Sequence, residues 1–181
     1  MNRETLSEAA QEHGTPLYVY DREDLRTRAR TLTSLTFPFG STIRYAAKAN
    51  SAPEIIALFH EEGLHFDASS SYEAEELIAR GIPPTHISLS SQQPAHNLEK
   101  LLTAGVHYVV TSLHQFELFL KTPHHPGSVA LRVNAGLGAG GTNRTTTGGT
   151  ASSFGLCSSS ARVAEWRMRS ICSLIEESFS I

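Results

Sequence analysis

Cysteine is scarce in this sequence: Cys157 and Cys172 are the only two among 181 residues. Two are too few for a disulfide framework. Long apolar runs are also lacking. The stretch 106–110 is typical, and it falls far short of the roughly 20 residues of a membrane span, so no membrane partner is expected. The N-terminus, Met1-Asn2-Arg3-Glu4-Thr5-Leu6-Ser7-Glu8, carries acidic side chains and no apolar core, unlike a secretory signal. These absences together point to the cytoplasm. Charge is sparse as well, at 18% of residues with a net charge of −3, against a usual quarter. The fifteen Lys and Arg are scattered, which argues against a nucleic-acid partner, since that would need a basic face. What is present is a hydrophobic fraction of 40%, enough for the core of one ordinary domain.

The order of segments is informative. Residues 7–13 read as a short helix ended at Gly14, and 17–20 as strand-like. Asp21 should cap a charged helix over 22–32. Residues 42–47 read as a strand with Lys48 at its C-terminal end. Then come a helix over 53–62 that opens on Pro53, a strand 64–67, a helix 72–80, a strand 87–89, a helix 95–103 with Leu98, Leu101 and Leu102 on one face, a strand 107–110, a helix 113–121 and a strand 128–134. Five strands alternating with helices imply parallel βαβ units. The class is α/β, either an open sheet or part of a (β/α)8 barrel. A whole barrel takes roughly 250 residues, so about five of its eight units are expected here.

Several residues have chemical potential. A lysine at the C-terminal end of a strand lies on the reactive face of such a fold. Partly desolvated, the Lys48 amine would form a Schiff base more readily; a plain surface lysine is the alternative. Asp67 ends the next strand on the same face, where it would hold a lysine or a cationic ring, or cap the following turn. Ser70 and Glu73 have the S-x-x-E spacing of a capping box, with a site role open because that helix start faces the same way. Arg132 interrupts an apolar strand and needs a partner if buried, either an anionic ligand group or a structural carboxylate. His124 and His125 read as solvated loop residues without metal-ligand spacing. The glycine-rich stretch 136–141 suits either a mobile loop or an anion cradle.

From Ala135 to Gly155 the chain is rich in Gly, Thr, Ser and Asn, a stretch too long for a simple connector. The last 25 residues differ again: they hold both cysteines, the single Trp166 and seven serines, with a possible amphipathic helix over 161–177. Two segments are therefore expected, 1–156 and an atypical tail 157–181.

Three motifs occur together in order: Tyr45-Ala46-Ala47-Lys48-Ala49-Asn50, Phe66-Asp67-Ala68-Ser69-Ser70-Ser71-Tyr72-Glu73 and Leu131-Arg132-Val133-Asn134. In this combination the chain resembles the fold type III pyridoxal-phosphate decarboxylases of diaminopimelate, ornithine and arginine. Thr147-Gly148-Gly149 with Ser152-Ser153-Phe154-Gly155 looks most like the diaminopimelate branch. The resemblance implies a partial barrel of the alanine racemase/decarboxylase type, pyridoxal 5'-phosphate as cofactor, an amino-acid substrate and a family homodimer. It implies that Lys48 carries the cofactor, that Asp67 and Arg132 contact it, and that Ser70 and Glu73 stand nearby. The cofactor ring would take up the electrons left as carbon dioxide departs.

The sequence departs from the family pattern at Ala135, where proline is frequent, and at Ser153, where lysine is frequent. Beyond Leu156 the family's cofactor histidine, glycine-rich phosphate turn and acidic partner of the ring nitrogen find no match. Residues 157–181 are therefore expected to reflect a frameshift or similar lesion. Translating the other frames after codon 156 should then restore a histidine-bearing strand and a glycine-rich turn. The expected function is decarboxylation of meso-diaminopimelate to lysine, in a truncated chain that is inactive alone. The alternatives are a non-catalytic remnant, whose open sheet edge would invite aggregation, and a racemase-like protein. Against the latter, Ala49-Asn50-Ser51-Ala52-Pro53 lacks the Tyr-Gly-His-Gly continuation of racemases.

Overall fold

The computed structural model describes residues 2–123, 126–134, 136, 148–149 and 155–157. The histidine pair His124–His125, most of the glycine-rich stretch and the expected helix over 161–177 lie outside the described residues. Two compact units are formed: Met1–Tyr45 with Ser51–His65, and Ala46–Asn50 with the chain from Phe66 onward.

The first unit begins with α1 (Arg3–His13), capped by the Asn2 side chain, which accepts from the Thr5 N–H. The helix starts four residues before the sequence suggests, because Asn2 supplies the cap. Residues 17–20, expected as a strand, form none; Tyr18 is 91% exposed. Asp21 caps α2 (Arg22–Thr33) as expected, accepting from the Glu23 and Asp24 N–H groups. Strand β1 (Arg44–Ala46) is followed by a 3-10 turn, Ala47–Ala49, and then by α3 (Pro53–Glu61). Gly63, at φ 82°, ends the latter. Helices α2 and α3 pack together over the buried Ala29, Ile55, Ile56, Leu58 and Phe59. Glu62 clamps them electrostatically: its carboxylate accepts from Arg26 Nε at 2.6 Å and Arg30 Nε at 2.7 Å. The His65 N–H donates to the Ile43 carbonyl at 3.0 Å.

The second unit holds most of the sheet. Its first strand is β2 (His65–Ala68). Then follow α4 (Ser71–Ala79), β3 (Ile87–Leu89), α5 (Leu98–Ala104), β4 (His107–Val110), α6 (Leu113–Lys121) and β5 (Ala130–Leu131). Strands β2, β3, β4 and β5 are neighbours in chain order, each parallel to the next. This is the expected α/β class. The period of two sorts the side chains: Phe66, Ala68, Ile87, Leu89 and Val110 are fully buried, whereas Asp67 and Ser88, paired in register, take the opposite face. The buried row packs against helices that contribute Ala74, Leu77, Phe116 and Phe119.

Two boundaries differ from expectation. The helix predicted over 95–103 begins only at Leu98, so 90–97 is a linker without helix or strand. The strand predicted over 128–134 is broken at Arg132 into β5 and β6 (Val133–Asn134). The Arg132 N–H donates to Val110 O at 2.9 Å, while its carbonyl accepts from the Leu156 N–H at 2.8 Å. Strand β6 then pairs in parallel with β7 (Leu156–Cys157), one strand more than the sequence suggests.

Candidate active site

A cavity of about 510 Å³ opens in the second unit, where Lys48, Asp67, Ser90, Ser91 and Arg132 converge. All five stand at or just beyond the carboxyl ends of parallel strands, the end at which barrel enzymes place their chemistry. The volume falls within the range of small-molecule sites.

Lys48 lies in the 3-10 turn after β1, next to the buried Ala47. Lys48 is exposed, so the described residues do not supply the partial desolvation that would favour its Schiff-base chemistry. Asp67 does not cap the following turn. Its two carboxylate oxygens accept the hydroxyls of Ser88 and, at 2.8 Å, Ser90, two neighbours on the next strand and its continuation. The carboxylate is thus fixed in orientation before any ligand arrives. Ser70 and Glu73 form the expected reciprocal cap: Ser70 Oγ accepts the Glu73 N–H at 3.2 Å, and Glu73 Oε2 accepts the Ser69 N–H at 2.8 Å. Ser70 also lines the cavity; Glu73 does not. Arg132 is half-buried and lines the cavity from the break between β5 and β6.

The segment after Arg132 is tied down by Asn134, which is 6% exposed. Its Oδ1 accepts the N–H groups of Gly136 and Gly149, and its Nδ2 donates to the Gly149 carbonyl at 2.9 Å. The backbone also crosses itself closely there. A Cβ on Gly155 (φ 85°) would lie 2.9 Å from the Arg132 carbonyl oxygen, which explains the glycine.

Sequence reasoning missed Ser88 and Ser90 as partners of Asp67, and it missed the linker residues Gln92, Gln93 and His96 in the cavity wall. A signal for the serines existed. Ser88-Leu89-Ser90 alternates, so both hydroxyls share the face of Asp67. No such signal marked the linker, because 95–103 has helical periodicity.

Residues 22–171 match the family described as "Pyridoxal-dependent decarboxylase, pyridoxal binding domain". The chain belongs to this family. The matched range runs past Leu156. Among the decarboxylases it resembles, diaminopimelate decarboxylase of Thermoplasma acidophilum is 29% identical over 168 residues, 91% of this chain and 40% of the relative. That of Zymomonas mobilis subsp. mobilis is 31% identical over 177 residues, 93% of this chain and 42% of the relative. The crystal structure of diaminopimelate decarboxylase from Helicobacter pylori complexed with L-lysine superposes with a TM-score of 0.71 at 27% identity, covering 83% of this chain and 39% of that one. The chain therefore spans about two fifths of the length of these relatives. The family's cofactor is pyridoxal phosphate, and the strand–helix units are those of its partial barrel. The donor set suits that group: a primary amine for its aldehyde, a fixed carboxylate for a cationic ring, and a guanidinium for an anion.

Proposed function

We propose that the chain forms the lysine-bearing part of a decarboxylase that converts meso-diaminopimelate to lysine, with pyridoxal phosphate held at Lys48. The observation that carries this reading is the convergence of Lys48, Asp67 and Arg132 on one cavity at the carboxyl ends of parallel strands, in a member of the pyridoxal-dependent decarboxylases. The substrate assignment is supported by the diaminopimelate decarboxylases that match over most of the chain. Loss of one carboxyl group turns diaminopimelate into lysine, and lysine is the ligand named for the Helicobacter pylori enzyme.

When bound, the cofactor supplies an electron-withdrawing ring that accepts the electron pair left as carbon dioxide departs. The chain's own residues bind and orient. Lys48 provides the amine that fixes the cofactor covalently. Asp67, locked by Ser88 and Ser90, presents a charge of one orientation to the ring. Arg132 offers paired N–H donors to an anionic group of cofactor or substrate. Ser70 and Glu73 act by capping α4, which holds the Ser69–Ser70 edge of the cavity in place.

Because the chain spans about two fifths of its relatives, turnover is assigned to the whole protein. For these 181 residues the proposal is cofactor capture without turnover. Adding pyridoxal phosphate to the purified chain should produce a visible absorbance band, shifted from that of the free cofactor, that is absent in Lys48→Ala, with no carbon dioxide released from meso-diaminopimelate. Folded protein without absorbance would sink the cofactor assignment. Turnover by these residues alone would overturn the division of labour.

A further inference from the structure

The linker 90–97 builds one wall of the cavity with Ser90, Ser91, Gln92 and Gln93. A loop that shapes a site has to be fastened, since an unfastened one would cost ordering entropy on every binding event. Its near end is fastened from beneath. The Ser91 carbonyl accepts from Gln115 Nε2 at 2.9 Å and Thr111 Oγ1 at 3.0 Å, both buried.

The far end is fastened by His96, which the proposed chemistry does not use. His96 Nδ1 lies 2.8 Å from Ser71 Oγ, and Ser71 is only 6% exposed. The imidazole stacks on the Tyr72 ring with centroids 4.7 Å apart and planes 27° apart. Its Nε2 is 3.8 Å from Glu75 Oε2, and Glu75 is itself held by Lys100 at 3.0 Å. Ser71, Tyr72 and Glu75 all belong to α4, whose start carries Ser69 and Ser70 of the adjoining wall. One side chain thus joins two walls of the same cavity. The serine hydroxyl can donate or accept, so the bond forms with either imidazole tautomer.

We propose that His96 is a positioning residue: by tying the 90–97 linker to the first turns of α4 it sets the shape of the cavity that receives pyridoxal phosphate. This rests on the cofactor assignment above. Losing one such bond should weaken cofactor affinity about fivefold.

The test compares wild type, His96→Leu and His96→Asn in the full chain. The Asn side-chain oxygen falls close to the place of Nδ1, so that variant keeps an acceptor for Ser71 without the ring. Two readouts are taken: pyridoxal phosphate affinity by visible absorbance, and amide hydrogen exchange over 92–97 without cofactor. The expected result is a severalfold loss of affinity and faster exchange in His96→Leu, with both largely restored in His96→Asn and the melting temperature little changed in either. Wild-type affinity in His96→Leu, or no restoration by Asn, would overturn the proposal. If wild type itself gives no absorbance, the cofactor assignment falls. The exchange data then stand alone: unchanged protection over 92–97 in His96→Leu would overturn the tie, and protection lost in Leu and regained in Asn would uphold it.

Discussion

At Gly155 the backbone sits at φ 85°, and a Cβ would press against the Arg132 carbonyl at 2.9 Å and the Asn134 nitrogen at 3.1 Å. Neither neighbour can move freely, because both are main-chain atoms, one at the break between β5 and β6 and the other within β6. Gly155→Ala should cost about 2 kcal/mol, combining the left-handed conformation with the collision. Urea denaturation checks this, and a loss below a few tenths of a kcal/mol would contradict it. Lys48 and Asp67 were legible because each ends a strand that the sequence suggests, and Arg132 because it is a lone charge within an apolar strand; all of these are one-dimensional features. The partners of Asp67 were less legible, because the register Asp67↔Ser88 is a pairing between strands. His96 was not legible at all; its role depends on Ser71, 25 positions away.

Between elements, the buried polar contacts carry the largest consequences. Gln115 on α6 is fully buried; its Oε1 accepts the Thr111 N–H at 3.0 Å while its Nε2 serves the Ser91 carbonyl. Gln115→Leu keeps the volume but strands the buried Thr111 N–H and leaves the Ser91 carbonyl with Thr111 Oγ1 alone, so a loss of about 2 kcal/mol is expected. Thermal denaturation would show it, and hydrogen exchange should place the loosening at 90–93. A near-neutral effect would mean that α6 does not hold the linker. The clamp between α2 and α3 makes a pH prediction. The Arg30 guanidinium, seconded by Arg26, holds the Glu62 carboxyl below the usual glutamate range. A lowered folded-state value contributes stability above the ordinary glutamate pKa of about 4.3 and loses it as pH falls through the lowered value. Glu62→Gln should therefore be less stable than wild type at neutral pH, with the two curves converging in acid. A gap that is constant with pH would contradict this. Element boundaries were the less legible part of the fold. The 95–103 periodicity hid a linker, and the apolar run 128–134 hid a break at Arg132. The four residues 17–20 look like a strand, yet no described strand pairs with them.

Across the whole molecule, the alternation of strands and helices was readable because parallel units demand it, and β2 to β5 do follow chain order. Strand β7 was not readable: two residues beyond a long Gly-, Ser- and Thr-rich stretch carry no periodicity of their own. The central claim concerns Lys48, and it can be tested directly because the chain contains only three lysines, Lys48, Lys100 and Lys121. The measurement is to incubate the protein with pyridoxal phosphate, reduce with borohydride, digest and map the label by mass spectrometry. The account predicts a stoichiometric label on the peptide bearing Lys48, with Lys100 and Lys121 at background. Equal labelling of all three, or preferential labelling of Lys100 or Lys121, would contradict it.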